Sequence, residues 1–367
     1  DGELRFLPED TVLGVPTDMD ALATSGLLSA DGLAAAAAEL DRTDDAPEGD
    51  VPIGGFLADR YGPELVDRVV GPLIGGINAG DVDELSLAAV TPQLAEAAAD
   101  GGSLSVALAA RRRAEPLTGP VFHALLGGSG RLIEALGAAL ADRGVDLRLE
   151  APVRELRRRG AGWELVVGGP GTAPIDADVV VLTTPAPDTA ELLAPLCPAA
   201  SRELAAMTHS ACALVTLVFR AGDVPTELDA SGFLVPRSEG LFLTAASWGS
   251  SKWAHWDDGR HVVLRVSAGR TGDERQAELD DDELVAALRA DLVTTMGITG
   301  APVATRVARW PLGFTQYEVG HLERVDRIEA ALSEDCPTLA VAGAAYRGLG
   351  LPACIRQGRT AARRLLA

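Results

Sequence analysis

Lysine is almost missing from this chain: Lys252 stands alone beside 31 arginines. Positive charge in general is scarce, with 53 acidic residues against 32 basic ones and a net charge of −21. A surface of that sign repels phosphate backbones, so nucleic acid is excluded as an expected partner. Small anions stay open, because arginine clusters locally at Arg111–Arg113 and Arg157–Arg159. Cysteine is sparse as well. Cys197, Cys212, Cys336 and Cys354 lie far apart, without a CxxC pair or a histidine at ligand spacing, which argues against structural zinc and for reduced thiols. The five histidines form no HExxH, and no metal is expected. Long apolar runs are missing too. The longest, Ala211–Phe219, suits a buried strand rather than a membrane span, and no signal peptide is visible, so no transmembrane segment is expected. The opening "DGELRFLPED" carries neither an initiating methionine nor a strand–GxGxxG–helix unit, which reads as a fragment.

What is present is ample apolar material, 47% of 367 residues, enough for two or three domains. Residues 26–115 are rich in alanine and leucine at helical spacing, broken by an acidic loop at Asp41–Asp50. Within them Phe56, Leu57, Tyr61, Leu65, Val66, Val69 and Val70 predict an amphipathic helical pair, the second member ended by Gly75, Gly76 and Gly80. From Leu126 a glycine turn leads into a helix with Leu132, Ile133, Leu136 and Leu140 on one face. Strands follow at Val145–Leu149, Val153–Leu156 and Trp163–Val167, then a β-branched run over Ile175–Thr184. Alternating runs at Ala213–Phe219 and Val262–Val266 predict an antiparallel sheet, and Asp281–Met296 a charged helix. The α/β texture thus occurs in two pieces, 127–189 and 333–367, and this split implies a strand–helix unit upstream of Asp1. Residues 1–25 and 190–332 are expected to form a second domain, and 26–115 a helical lobe.

The chain closes on "LAVAGAAYRGLGLPACIRQGRTAARRLLA", a short strand, a glycine turn and a helix. Such a junction gathers backbone N–H groups and a positive helix end at one spot, suited to a phosphate, a carboxylate or an electron-rich ring edge. A closing helix packed on a sheet, with glycines needed only for the turn, is the alternative.

Six stretches carry a resemblance when taken in order: "ADRYGPELVDRVVGPLIGGINAGDVDELSL" (58–87), "LLGGSGRLIEAL" (125–136), "APVREL" (151–156), "WGSSKW" (248–253), "RWPLGFTQYEVGHLERVDRIEA" (309–330) and the closing one. Together the chain resembles the flavin-dependent protoporphyrinogen and coproporphyrinogen III oxidases of haem synthesis, within the flavin amine-oxidase fold group. The resemblance implies an α/β plus α+β architecture, the FAD-linked oxidase fold. Its parts are a split Rossmann-like FAD domain (127–189 and 333–367), an antiparallel-sheet substrate domain (1–25 and 190–332) and a helical lobe (26–115). The N-terminal nucleotide-binding unit is absent. It implies FAD as cofactor, with the Val153 backbone at the adenine, Trp310 beside the flavin, and Gly348, Leu349, Gly350 and Leu351 against the ring and ribityl chain. Gly127 and Gly128 match a glycine pair near the cofactor. Pro352 starts a helix whose positive end stabilises the anionic reduced ring. Arg347 and Ala353 stand where the family usually carries an acidic residue, and Thr315 where it carries a proline. Arg347 is therefore expected to meet substrate carboxylates.

The implied activity is the six-electron oxidation of a porphyrinogen to a porphyrin by FAD and O2, giving H2O2. No side chain is needed as acid or base, and no catalytic residue is expected. Porphyrinogen and O2 are the implied partners, with a homodimer and transfer of product to a haem-pathway partner as further expectations. The acidic helical lobe, without a basic amphipathic face, favours a cytoplasmic form and the coproporphyrinogen route. Two other readings stand beside this one: an amine oxidase, whose flavin-side lysine could only be Lys252, and a truncated, cofactor-free porphyrin-binding remnant.

Overall fold

The computed structural model describes residues 3–114, 119, 122–168 and 173–367; the ends of the expected segments at 1–2, 115 and 169–172 lie outside them. Twelve strands run through these residues: β1 Thr11–Val12, β2 Val15–Pro16, β3 Val153–Arg159, β4 Gly162–Val167, β5 Ile175–Ala177 and β6 Val180–Leu182. They continue with β7 His209–Arg220, β8 Gly232–Leu234, β9 Leu243–Trp248, β10 His261–Ala268, β11 Ala304–Thr315 and β12 Leu339–Val341. The chain divides into two compact units, Asp1–Pro116 with Thr208–His321, and Leu117–Met207 with Leu322–Ala367.

The first unit opens with the β1–β2 hairpin and a set of helices. Ile53, Leu57 and Tyr61 recur every four residues along the helix Ile53–Tyr61 and are fully buried. Pro63–Leu65, Val66–Gly75 and Gly76–Asn78 run on as one helix whose middle is wound as a π-helix around Pro72. A proline inside a helix has no N–H to give back, and a wider turn accommodates it. This helix does not stop at Gly75 and Gly76 as expected. It ends at Ala79, which takes the left-handed conformation (φ 46°) usually left to glycine. Beside it, Glu39 is fully buried and accepts from Arg60, the Ser103 hydroxyl and the main-chain N–H groups of Leu104 and Ser105. Four donors satisfy that carboxylate, the condition under which a buried charge is tolerated.

The five-stranded sheet of this unit has the order β11-β7-β10-β9-β8, antiparallel throughout. Strand β7 alternates, burying Val215, Leu217 and Phe219. The helix Asp281–Met296 contributes Leu284, Leu288, Leu292 and Met296, one per turn, to the same core. A capping box between Asp280 and Glu283 starts that helix, and Gly297 (φ 66°) ends it.

The second unit holds a three-stranded antiparallel sheet, β3-β4-β5, and the parallel pair β6–β12, which sets Val180 opposite Leu339. Its core takes Leu193, Cys197, Ala200 and Leu204 from 190–207, and Val325, Ile328 and Leu332 from 322–332. Position in sequence places both segments in the other domain. Their buried faces pack against Leu182, Leu339 and Tyr346 instead. Two strand expectations fail here. The run Ile175–Thr184 breaks at Asp178, its first part joining β4 and its second joining β12. Residues 145–149 make no strand at all and are exposed. The preceding helix, Gly130–Asp142, is formed as expected, but none of its residues is buried and Ile133 is 65% exposed. All four cysteines are free thiols. Among the described residues no helix is long and apolar enough to cross a membrane.

Candidate functional site

Strand β12 ends at Val341, and the chain turns through Gly343 (φ 136°) and Gly348 (φ 114°) before the helix Leu351–Leu366 begins. Only glycine fits at 348. Its φ lies outside the range of L side chains, and a Cβ there would come within 2.7 Å of the Ala353 Cβ. The turn is fixed from within the helix, because Gln357 accepts from the Arg347 N–H at 3.3 Å and donates to the Gly348 carbonyl at 3.4 Å. Motif reading did not single out Gln357. Its position two turns into an amphipathic helix, among arginines, was the available signal. Gly350 caps the helix in an extended conformation, and a Cβ on it would find only the Pro352 Cδ, at 3.8 Å. The first turn contains no acidic residue, and Leu351 is 58% exposed.

The junction therefore offers a positive helix end and room beside Gly350. A flat, electron-accepting ring needs both, and these residues fit a flavin. Pro352 in the first turn removes one N–H that would otherwise need a partner, as expected for a helix start.

The remaining expected site residues are distributed as follows. Gly127 and Gly128 adopt positive φ (84° and 89°) just before the helix Gly130–Asp142, in the same unit as the closing turn. Val153 is the first residue of β3, opposite Val167, also in that unit. Trp310 is on β11 of the other unit, opposite Cys212, and at 54% exposure it is not an ordinary core tryptophan. Lys252 ends the short helix Gly249–Lys252, its ammonium 5.7 Å from the centre of the Trp253 ring.

Arg347 has a different environment from the one expected. Its guanidinium donates to Glu329 at 2.7 and 3.3 Å and to Asp326 at 2.6 Å. These bonds, Glu329 first, raise its affinity for its proton further, although burial opposes them. Two carboxylates of the helix His321–Asp335 thus occupy the cation expected to receive substrate, and Arg347 ties the closing turn to that helix.

In the first unit the structure joins two motif stretches that the sequence shows only in order. Gln316 donates to the Asn78 carbonyl at 3.1 Å, to the Ser210 hydroxyl at 2.9 Å and to the Phe314 carbonyl at 3.2 Å. A Cβ at Gly80 beside it would come within 2.5 Å of the Gln316 amide oxygen and 2.8 Å of Leu85 Cδ1, so a side chain there would displace both. Asp50, read from sequence as the end of an acidic loop, accepts from Ser86, Ala88 and Gly320. Flanking Gly320 in sequence, the Tyr317 and His321 rings stack with their centres 3.8 Å apart.

Comparison with known proteins gives the family. Residues 2–366 match the profile of flavin containing amine oxidoreductases. The chain is 32% identical to a coproporphyrinogen III oxidase of Bacillus subtilis, covering 98% of this chain and 76% of the relative. It is 37% identical to the enzyme of that name from Mycobacterium tuberculosis, over 96% of this chain and 74% of the relative. A crystal structure assigned as a protoporphyrinogen oxidase, from Exiguobacterium sp. 255-15, superimposes with a TM-score of 0.86 at 31% identity, covering all of this chain and 79% of that one. With a family profile spanning residues 2–366, the chain belongs to the family of flavin containing amine oxidoreductases.

Proposed function

We propose that this protein oxidises a porphyrinogen, coproporphyrinogen III in the first place, to the corresponding aromatic porphyrin. The observation that carries the reading is the open Gly348–Gly350 turn at the positive end of the helix Leu351–Leu366, in a chain similar over its length to coproporphyrinogen III oxidases. Overall, six electrons and six protons leave the macrocycle, and three dioxygen molecules become three of hydrogen peroxide. FAD, when bound, supplies the two-electron acceptor between them. With FAD bound, main-chain groups of Gly348, Leu349, Gly350 and Leu351 would hold the ring, the Val153 backbone would hold the adenine, and the exposed face of Trp310 would be the aromatic surface offered to the flavin. Arg347 acts as a strut for the turn through Asp326 and Glu329. The protons released from carbon and nitrogen pass to solvent, which needs no tuned acid–base pair. The reading carries with it a cytoplasmic setting.

The test uses protein loaded with FAD, supplied with coproporphyrinogen III in air and followed by porphyrin fluorescence and peroxide. A fluorescence rise with about three peroxides per porphyrin is expected from a six-electron change. A flavin-loaded protein that gives no rise overturns the proposal. Putrescine in place of the porphyrinogen, followed by peroxide alone, reads out amine oxidation by the same cofactor.

A further inference from the structure

In the unit built on the five-stranded sheet, three arginines line one cleft of about 530 Å³: Arg237, Arg270 and Arg275. In a chain of net charge −21 such a convergence runs against the overall field. Arg270 follows β10 in a tight turn closed by hydrogen bonds between its own main chain and that of Asp273 (3.1 and 2.9 Å), with Gly269 and Gly272 at positive φ. The turn fixes where each side chain starts.

The three cations are not equally compensated. Arg275 is bound by both oxygens of Asp273 at 2.8 Å, and its guanidinium carbon lies 5.2 Å from the centre of the Phe242 ring. Arg237 donates to the Gly80 carbonyl at 3.1 Å and is 3.7 Å from Asp81. Arg270 has no ion pair among the described residues, and its Nε–H is shielded from solvent without an acceptor. Burial, and then the neighbouring Arg237, lower its hold on its proton. Glu274 and Glu278 also line the cleft, yet neither makes an ion pair with Arg270. A half-buried guanidinium with an unsatisfied donor costs free energy unless an acceptor arrives. A planar two-oxygen acid matches the paired N–H donors of a guanidinium.

We propose that this cleft is a carboxylate-binding site, with Arg270 as the bidentate donor and Arg237 as the second cation, for a ligand carrying several carboxylates. Two sources share that chemistry: a propionate of a porphyrin-type ligand, and a free polycarboxylate. The first would make Arg270 a specificity residue of the reaction proposed above and rests on that reading; the second would not.

The test measures binding of two probes, coproporphyrin III by fluorescence anisotropy and citrate by titration calorimetry, to the FAD-loaded protein and its Arg270→Gln and Arg270→Lys variants. Far-UV circular dichroism checks that each variant is folded. Arg270→Gln is expected to weaken at least one probe roughly tenfold or more, the scale of a lost charge-assisted pair, and Arg270→Lys to recover part of that loss. Weakening of coproporphyrin alone assigns the site to a propionate, and weakening of citrate alone to a free acid. Equal affinities in wild type and Arg270→Gln for both probes, or no measurable binding of either to the wild type, overturn the proposal. Failure of the wild type to oxidise coproporphyrinogen III, with citrate binding still sensitive to Arg270, would sink the proposed function and leave the cleft standing.

Discussion

Two glycines two positions apart in the closing turn have opposite reasons for being glycine. Gly348 is held by its φ of 114° and by the Ala353 Cβ, whereas Gly350 has an ordinary φ and empty space where a Cβ would go. Gly348→Ala should therefore destabilise the protein itself, by about 1–3 kcal/mol from the strained conformation, measured as a lower denaturation midpoint. Gly350→Val should leave that midpoint nearly unchanged and weaken FAD retention, read as loss of visible flavin absorbance relative to protein, because its branched side chain would fill the space that the ring needs. Unchanged flavin content in Gly350→Val would move the ring away from this turn. The Glu39–Arg60 pair makes a second contrast. Both side chains are almost wholly buried, so Arg60→Ala strands a carboxylate and should cost about 3–5 kcal/mol in urea unfolding. The exposed pair Arg131–Glu134 should cost at most about 1 kcal/mol on the same change.

At the scale of the element, the helices Asp281–Met296 and Gly130–Asp142 look alike in sequence, each with leucines on one face, and differ in what that face meets. Leu288 is fully buried against the sheet, and Leu288→Ala should cost about 2–5 kcal/mol. Leu136 is 53% exposed, and Leu136→Gln should change unfolding by no more than about 0.5 kcal/mol. Chemical denaturation of the two variants side by side measures both. Periodicity reported each helix and could not report its partner, because spacing encodes a face and not what lies opposite it. The same limit explains Ile175–Thr184: a β-branched run announces strand, yet one bend at Asp178 sends its halves to different sheets. The five-stranded sheet was legible because β7 and β10 alternate cleanly and pair with each other, as alternation predicts. Of the candidate site, the glycine turn and the proline start were readable from their φ and N–H chemistry. The engagement of Arg347 was not, since Asp326 and Glu329 lie some twenty residues upstream and their approach depends on tertiary packing.

For the molecule as a whole, the many carboxylates define an acid limit. Glu203 is held below the usual carboxylate range by Arg327, Asp273 by Arg275 and Glu64 by Ser29, in each case against some burial. A carboxylate with a depressed folded pKa binds fewer protons in the folded than in the unfolded chain. Its contribution is complete above the unfolded value near 4 and disappears as pH falls through the folded one. Tyr346 acts in the opposite sense: burial pushes it up to about 12, so the unfolded chain releases that proton first, near pH 10. Urea midpoints should therefore hold steady between about pH 5 and pH 9 and fall on either side. A midpoint that rose on going from pH 5 to pH 3 would contradict the assignment of these pairs. Finally, the parallel pair β6–β12 joins residues separated by roughly 160 positions, and closing so long a loop costs about 2 kcal/mol more than closing a crossover of some fifteen residues. During synthesis β6 leaves the ribosome well before β12, so the 117–207 part of the second unit waits, with apolar strand edges open, for 322–367. Chaperone dependence and inclusion-body formation in this protein should track that interval of waiting rather than the stability of the finished fold.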